Sequence, residues 1–306
     1  ASYAKIGFGK GIAGKEKGIG GNRNDIDGMA DPAVDLIGVQ HMSGNWLAIW
    51  VKYSLHPTIL HADNLLVSAD YPGYIREYLT KNKPGAILLF AQGATGDQSS
   101  RYFRKEQTFE EAKRFGYTIG SEAEKILDSM TLSGSIILDL KSVEVMPELK
   151  NISSISKAEA EVDKYNKKLE MLKKSGAPYT KIQTCSLDKL GAEFNLMYAK
   201  FEEDKGKYPL VELELPFEIQ VIKIGNCCIV GIPSEIYVKY TLGIEEKSPF
   251  KNTFVATVTN GIGLGYIVTK EAAEKRIFEA GVGLTKQGTG DRIVKSSLEV
   301  INDLYK

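Results

Sequence analysis

Four short polar segments of the chain could carry chemistry, and each follows an apolar, strand-like run. They are His56-Pro57-Thr58, Gly96-Asp97-Gln98-Ser99, Pro233-Ser234-Glu235 and Gly265-Tyr266. In open α/β sheets the residues just beyond the strand ends build the binding site. Imidazole nitrogens and carboxylate or phenolate oxygens suit zinc, and a serine beside a histidine can act as a nucleophile.

Each segment taken alone also has an ordinary structural explanation. A histidine after a strand is often a hydrogen-bonded structural residue, and an acid after proline often begins a helix. A Gly-Asp-x-Ser loop is commonly a turn, and a tyrosine in a glycine loop is commonly a packed aromatic. The combination and order of the segments therefore matter more than any one of them.

The order of these motifs resembles that of the neutral ceramidase superfamily. The resemblance begins at Asn22-Arg23, runs to about Glu279, and is absent from about Lys157 to Lys207. The matching motifs between these limits are His56-Pro57-Thr58, Ser68 to Tyr74, Gly96 to Ser99, Gly231 to Glu235, and Tyr266 to Thr269.

The resemblance implies a mononuclear zinc site and an amide-hydrolysing activity. It assigns His56, Glu235 and Tyr266 as zinc ligands. Arg23 and Ser99 match the family's active-site arginine and the serine that faces the scissile amide. A metal-activated water would attack the carbonyl of a linear amide, with Arg23 and Tyr266 stabilising the charge on its oxygen.

Asp70 and Asp97 are expected to support the site without binding the metal, as turn residues that hold the ligand-bearing loops. A general acid for the leaving amine is not evident among the motifs.

The family's first metal ligand is missing from the sequence. It lies in an His-x-His segment before the Asn-Arg motif, whereas the histidines here are His41, His56 and His61, with no such pair. Three explanations compete: a precursor cleaved into two chains that stay together, a truncated sequence, or a non-catalytic remnant. Because the other motifs survive, we expect an N-terminal chain or segment of the same precursor as partner.

Two further departures concern the substrate. The family's second tyrosine corresponds to Phe278, before Glu279, and the sequence stops at Lys306, before the family's C-terminal β-sandwich. Both count against ceramide itself. A fatty acyl amide, a small amide or a peptide stays open as substrate.

Two rival functions remain. A metal-independent serine hydrolase would use Ser99 with His56 or His61 as base, although no GxSxG elbow is present. A binding or scaffold protein on a degenerate hydrolase fold would explain the missing histidines. Sensitivity to chelators separates the zinc enzyme from the serine enzyme, and metal content separates it from the scaffold.

The elements that must position these residues alternate between strands and helices, which predicts an α/β fold with a mixed sheet flanked by helices. Strands are predicted at Val34–Val39, Trp46–Tyr53, Ala86–Phe90, Val211–Ile224, Cys227–Gly231 and Thr253–Val258. Helices are predicted at Asp70–Lys81, Thr108–Ser129, Lys157–Lys174, Leu187–Phe201, from Ile232 onward, Lys270–Ala280 and Gly290–Tyr305.

The charged helices in the middle predict a helical hairpin, either a solvated structural face or a substrate lid. We expect one ceramidase-like catalytic domain over residues 1–306, incomplete at its N-terminus, with residues 154–207 as a helical insert. Gly9 to Gly14 fits GxGxxG, but a poor helix start follows, so a flexible loop is predicted there rather than a dinucleotide site.

Composition narrows the partners. Lys plus Arg and Asp plus Glu both total 39, which argues against nucleic acid as partner, and no apolar run is long enough to span a bilayer. Cys185, Cys227 and Cys228 are predicted to be buried thiols. The compartment is open, although sparse cysteine favours the cytoplasm.

Overall fold

The computed structural model describes residues 2–60, 64–205, 215–261 and 265–306. The strands are β1 Ala4–Ile12, β2 Gly21–Asn22, β3 Ala33–His41, β4 Trp46–Tyr53, β5 Ile87–Gln92, β6 Gln98–Ser99, β7 Leu132–Ser133, β8 Leu138–Val145, β9 Phe217–Ile224, β10 Cys227–Ile232, β11 Glu235–Ile236, β12 Asn252–Thr257 and β13 Tyr266–Ile267. The helices are α1 Asp70–Asn82, α2 Phe109–Asp128, α3 Ile155–Lys174, α4 Tyr179–Lys205, α5 Val238–Lys247, α6 Lys270–Lys275, α7 Phe278–Val282 and α8 Thr289–Tyr305.

Two mixed sheets form the centre of the molecule. The first has the order β5-β4-β3-β1-β7 and the second the order β12-β10-β9-β8. In each sheet one edge pair is parallel, β4 with β5 and β10 with β12, and the other pairs are antiparallel. The predicted α/β class is confirmed, with two mixed sheets where one was expected.

Three apolar cores define four layers. One core joins the first sheet to α1 and α2, and a second joins the second sheet to α5 and α8. A smaller core of Ile37, Cys227 and Phe254 lies between the two sheets. The order of layers is therefore helices, sheet, sheet, helices.

Helix α2 shows why the outer layers form. Its apolar residues recur at helical spacing, and Phe115 and Ile119 are fully buried. Burying a side chain of this size stabilises the fold by about 1.5–3 kcal/mol. Thr108 begins the helix as its N-cap, because its hydroxyl accepts from the Glu111 N–H at 3.2 Å.

Strand β1 corrects the predicted flexible loop around Gly9 to Gly14. Alternate residues of this strand are glycines that face α2 and the residues just after it, and a Cβ on Gly11 would lie 2.8 Å from Cδ1 of Ile126 in α2. Glycine is therefore required for the close approach of helix and sheet, and this contact overrides its low strand propensity.

Two predicted helices also change. The helix expected from Ile232 begins at Val238, because Glu235 is drawn into the short strand β11, where its N–H donates to Gly265 O at 3.1 Å. The helix expected over Lys270–Ala280 is divided into α6 and α7 at Arg276, whose φ is 50°.

Helices α3 and α4 form the predicted hairpin, and α4 packs closely on α7. A Cβ on Gly281 of α7 would lie 2.5 Å from Gly191 O of α4. Asp188 of α4 accepts a hydrogen bond from the Phe278 N–H at 3.2 Å. That residues 154–207 are an insert remains a prediction.

A charged cluster is buried at the end of the layer between the sheets. Lys52 is fully buried, and its Nζ lies 2.8 Å from Asp31 Oδ2, 2.9 Å from Asp35 Oδ2 and 3.4 Å from Glu245 Oε1. Burial raises the pKa of Asp35 to about 6, although Lys52 opposes that shift. Such a network holds the sheets together only while every member is paired.

The three cysteines are buried free thiols, as predicted. Within the described ranges, no helix combines the length and apolar character needed to cross a membrane.

Candidate functional site

The three predicted ligands meet at one point. His56 Nε2 lies 3.0 Å from Glu235 Oε2 and 3.3 Å from the Tyr266 hydroxyl. The side chains of His56 and Glu235 remain 14% and 33% exposed, so the cluster can be reached from outside.

Strand pairing sets this geometry. β11 and β13 are parallel, and Glu235 lies opposite Tyr266 in their register. Residues that lie opposite each other on two paired strands project to the same face of the sheet. This brings the Glu235 carboxylate and the Tyr266 phenol together. His56 reaches them from the segment that follows β4.

His56 is oriented by a backbone carbonyl. The ring Nδ1 of His56 lies 3.0 Å from Gln98 O, and the backbone N–H of His56 donates to the same oxygen at 3.2 Å. Because a carbonyl only accepts, Nδ1 carries the proton in this contact, and the lone pair of the neutral ring is on Nε2. Metal-binding histidines are held in this way.

The contact between His56 and Glu235 indicates whether a metal ion could bind here. A lone pair on Nε2 and a carboxylate oxygen 3.0 Å apart repel each other unless a proton or a cation lies between them. Burial by itself raises the pKa of Glu235, but the hydrogen bonds and charges around it outweigh burial, so that its pKa is lowered. One nitrogen and two oxygen donors fit zinc, with three of its usual four positions supplied.

These donors do not amount to a complete metal site. Across the described ranges, no group of three or more His, Cys, Asp or Glu side chains is placed to hold a metal ion. His41 is half-buried at the end of β3, and its Nδ1 lies 2.8 Å from Ser43 Oγ. His61 lies outside the described residues.

Arg23 is buried beside the cluster and pairs with Glu279. Its Nε donates to Glu279 Oε1, and its Cζ lies 5.2 Å from the centre of the Tyr266 ring and 5.7 Å from that of Phe278. Burial opposes the charge of Arg23, but Glu279 outweighs it and raises the pKa of the guanidinium. Among the described residues, its buried Nη2 has no hydrogen-bond partner.

Asp97 organises the backbone around the cluster. Its Oδ1 accepts from the Val238 N–H at 2.9 Å, at the start of α5, and its Oδ2 accepts from Asn22 Nδ2 at 3.1 Å. Its carbonyl accepts from the Arg23 N–H at 2.8 Å. Burial raises the pKa of Asp97 to about 6. Asp97 thus links three site segments and touches none of the ligand atoms.

Ser99 and Asp70 contribute differently. Ser99 is buried on β6, which pairs with β2, and its Oγ accepts from the Arg101 N–H at 3.2 Å. The ring nitrogens of His56 bond to other groups. Asp70 stands apart from the cluster and accepts from the N–H groups of Ile59 and Leu60, each at 2.9 Å.

Two cavities adjoin the cluster. One of about 620 Å³ is lined by His56 and Glu235 together with the carboxyl ends of β5 and β12. The other, of about 590 Å³, is lined by Tyr266, by α7 and by residues of the hairpin, including Tyr165 and Asn195.

Sequence reasoning missed the buried partner Glu279 and the orienting carbonyl of Gln98. Glu279 follows Phe278, the position compared with the family's second tyrosine. The sequence therefore located Glu279 near the site but did not indicate that it pairs with Arg23. A backbone carbonyl leaves no signal in sequence.

The layered fold is found in known ceramidases. No family profile and no curated protein matches the chain. Among solved structures, a ceramidase complexed with C2 superposes with a TM-score of 0.66 at 14% identity, over 99% of this chain and 54% of that one.

The neutral ceramidase from Pseudomonas aeruginosa superposes with a TM-score of 0.64 at 17% identity, over 98% of this chain and 52% of that one. At these identities the likeness establishes the fold, and the predicted resemblance is confirmed at that level. The chain spans about half the length of these ceramidase chains.

Proposed function

We propose that this protein is a zinc-dependent hydrolase that cleaves a linear amide bond. The observation that carries the proposal is the convergence of His56, Glu235 and Tyr266 beside the buried Arg23. The ceramidase fold supports an amide as the substrate class. Zinc, when bound, supplies Lewis acidity that polarises a carbonyl and activates water.

Each residue of the site has a separate role in the proposed reaction. His56, Glu235 and Tyr266 would hold the metal. The free Nη2 of Arg23 would donate to the carbonyl oxygen as negative charge develops there, and one such donor typically contributes about 3 kcal/mol. Glu279 fixes the guanidinium, while Ser99 would hydrogen-bond the amide.

The cavity beside Tyr266 would take the substrate. Its lining is mixed, with Lys150, Asn195 and Gln287 alongside Tyr165 and Val268. A polar group on the amide substrate fits such a wall better than two long alkyl chains. This counts against ceramide and favours a smaller or more polar amide.

An N-terminal chain or segment of the same precursor, carrying an His-x-His motif, would complete the zinc site. Support comes from the three-donor set and from the half-length coverage of the ceramidase structures. The cavity lined by His56 and Glu235 leaves room for that donor.

The test measures zinc and hydrolysis on native protein isolated from its source. We expect about one zinc per site, loss of amide hydrolysis with a chelator, and recovery on adding zinc. His56→Ala should lower zinc content and activity together. The control His41→Ala changes a half-buried histidine that lies outside the cluster, at the end of β3, and should leave both intact.

Activity that survives complete removal of zinc would contradict the proposal and favour a serine hydrolase. A protein without zinc and without activity on any amide would favour the scaffold function.

A further inference from the structure

The cavity beside Tyr266 has a basic lining. Among the described residues that line it, one is acidic, Glu161, and four are basic: Lys150, Lys157, Arg276 and Lys286. Over the whole chain, in contrast, Lys and Arg total 39, and Asp and Glu also total 39. The cavity lined by His56 and Glu235 has no Lys or Arg among its described lining residues. Positive charge is therefore concentrated on one side of the cluster.

Lys150 places a fixed positive charge on the wall of this cavity. Its Nζ donates to the carbonyls of Ala280 and Gly281 in α7 at 3.1 and 2.7 Å, and to Asn195 Oδ1 of α4 at 3.0 Å. Burial lowers the pKa of Lys150 to about 8, so the charged form still prevails at pH 7. A negative charge nearby stabilises a buried ammonium. Because α7 also carries Glu279, which pairs with the buried guanidinium, the charge of Lys150 has a fixed position relative to the site.

The other basic residues set how much negative charge the cavity suits. Arg276 Nη1 lies 3.2 Å from each carboxylate oxygen of Glu161, and Lys286 Nζ lies 3.3 Å from Oε2 of Glu148. Lys157 is exposed in the first turn of α3, which contains no acidic residue. Because the two ion pairs offset part of the positive charge, a singly charged carboxylate matches the cavity better than a phosphate, which carries nearly two charges.

Tyr266 joins this cavity to the cluster, since it lines the cavity and its hydroxyl lies 3.3 Å from His56 Nε2. An amide held at the cluster would therefore extend directly into the basic cavity. Asn151, Ser153 and Gln287 line the same wall, and their amide and hydroxyl groups can donate to carboxylate oxygens. A volume of about 590 Å³ accommodates such a group together with part of the substrate.

We propose that the amide substrate carries a carboxylate and that the basic cavity beside Tyr266 binds it. Lys157 approaches the carboxylate from α3, and Lys150 stabilises it from the wall while keeping its own hydrogen bonds. The role of the cavity as a substrate subsite rests on the proposed function, whereas the binding of a carboxylate rests on the lining. The recognition is the same whether the carboxylate belongs to the acyl part or to the amine part of the substrate.

Equilibrium binding tests the proposal without catalysis. Two pairs of probes are titrated by calorimetry into native protein from which zinc has been removed, so that a carboxylate cannot bind the metal. N-hexanoylglycine is compared with N-hexanoylglycinamide, and N-hexylsuccinamic acid with N-hexylsuccinamide. At least one acid should bind at least about tenfold more tightly than its neutral partner, as expected for a charge-assisted contact. The pair that shows the preference identifies the side of the amide that carries the carboxylate. Equal binding within both pairs, or no measurable binding of either acid, overturns the proposal.

Two exposed lysines of α3 provide a matched pair of variants, expressed and purified in the same way as the native protein. Lys157→Gln should lower the affinity for the acid about threefold, as expected for an exposed charge pair, and leave the affinity for the neutral amide unchanged. Lys173→Gln removes the same charge from the far end of α3, outside the cavity, and should change neither affinity. Equal effects of the two substitutions on acid binding overturn the proposal. Lys150→Met should lower the preference for the acid at least about tenfold, and equal weakening of acid and amide would overturn the role given to Lys150.

Inorganic phosphate and hydrolysis separate the alternatives. If phosphate displaces the bound acid at a lower concentration than acetate does, the site binds phosphate groups and the choice of a carboxylate is overturned. Preference for the acid in a protein that hydrolyses no amide keeps the carboxylate site but overturns the proposed function. Hydrolysis of neutral amides without any preference for the acid keeps the proposed function and overturns the carboxylate site.

Discussion

The buried pair of Arg23 and Glu279 allows a sharp test of how the site is held. The side chains are 8% and 1% exposed, and Glu279 also accepts from the Tyr237 hydroxyl at 3.4 Å. Glu279→Gln keeps the shape and removes the charge. Two unit charges about 4 Å apart attract by about 4 kcal/mol at an effective dielectric constant of about 20. Breaking one partner of a buried pair typically costs 3–5 kcal/mol.

Thermal unfolding provides the assay. For 306 residues the unfolding entropy is about 0.6 kcal/mol per kelvin, so a loss of about 4 kcal/mol lowers Tm by about 6 °C. The control is Glu148→Gln, since Glu148 is 61% exposed in its pairs with Lys286 and Arg292. Each exposed pair contributes at most about 1 kcal/mol, so the loss of both should lower its Tm by no more than about 3 °C.

The double variant Arg23→Met with Glu279→Leu separates charge from packing. Because it leaves no unpaired charge, it should be more stable than Glu279→Gln. If Glu279→Gln and Glu148→Gln lower Tm equally, the pair is solvated and the argument that Glu279 fixes Arg23 fails.

Three further changes test the fold around the site. Gly281→Ala should cost about 1–3 kcal/mol in urea denaturation because its Cβ meets Gly191 O at 2.5 Å, whereas Gly243→Ala, with open space around it, should not destabilise. Lys52→Met should cost about 3–5 kcal/mol at pH 7, and a loss that does not shrink as pH falls below about 6, where Asp35 takes up a proton, would contradict this. The pKa of Asp97 in the folded protein, about 6, exceeds the unfolded value of 3.8. The contribution of Asp97 to stability is therefore present below pH 4 and is lost as pH rises through 6. The free energy of unfolding of Asp97→Asn should therefore rise relative to that of the wild type by up to about 3 kcal/mol between pH 4 and 7. A difference between the two proteins that does not change with pH would refute the raised pKa.

The sequence allowed most of the long elements to be predicted because their patterns are periodic. Trp46–Tyr53 was predicted with both ends in place, and Thr108–Ser129 with each end one residue outside the helix. The short strands β11 and β13 have no period to detect. Pro233 and Glu235 resemble a helix start on local preferences, but the tertiary pairing of Glu235 with Tyr266 prevails.

The candidate site was partly visible for a different reason. His56, Glu235 and Tyr266 are named by motif order, and the structure brings them within hydrogen-bonding distance. Their roles as ligands remain a prediction. Glu279 could not be assigned, because its partner Arg23 is 256 positions away and only the fold brings the two together.

The hairpin connects the two main departures from the ceramidase pattern. It carries none of the motif resemblance, yet Asp188 of α4 holds the Phe278 N–H, and Thr184 of α4 accepts from Arg101, which in turn donates to the Arg23 carbonyl. Phe278 is the position that the motif comparison pairs with the family's second tyrosine. The hairpin thus supports Phe278, and its residues Tyr165 and Asn195 line the cavity beside Tyr266. A hairpin that were only a solvated face would not need this contact, so we expect changes in α4 that loosen Phe278 to alter the choice of amide more than the binding of zinc.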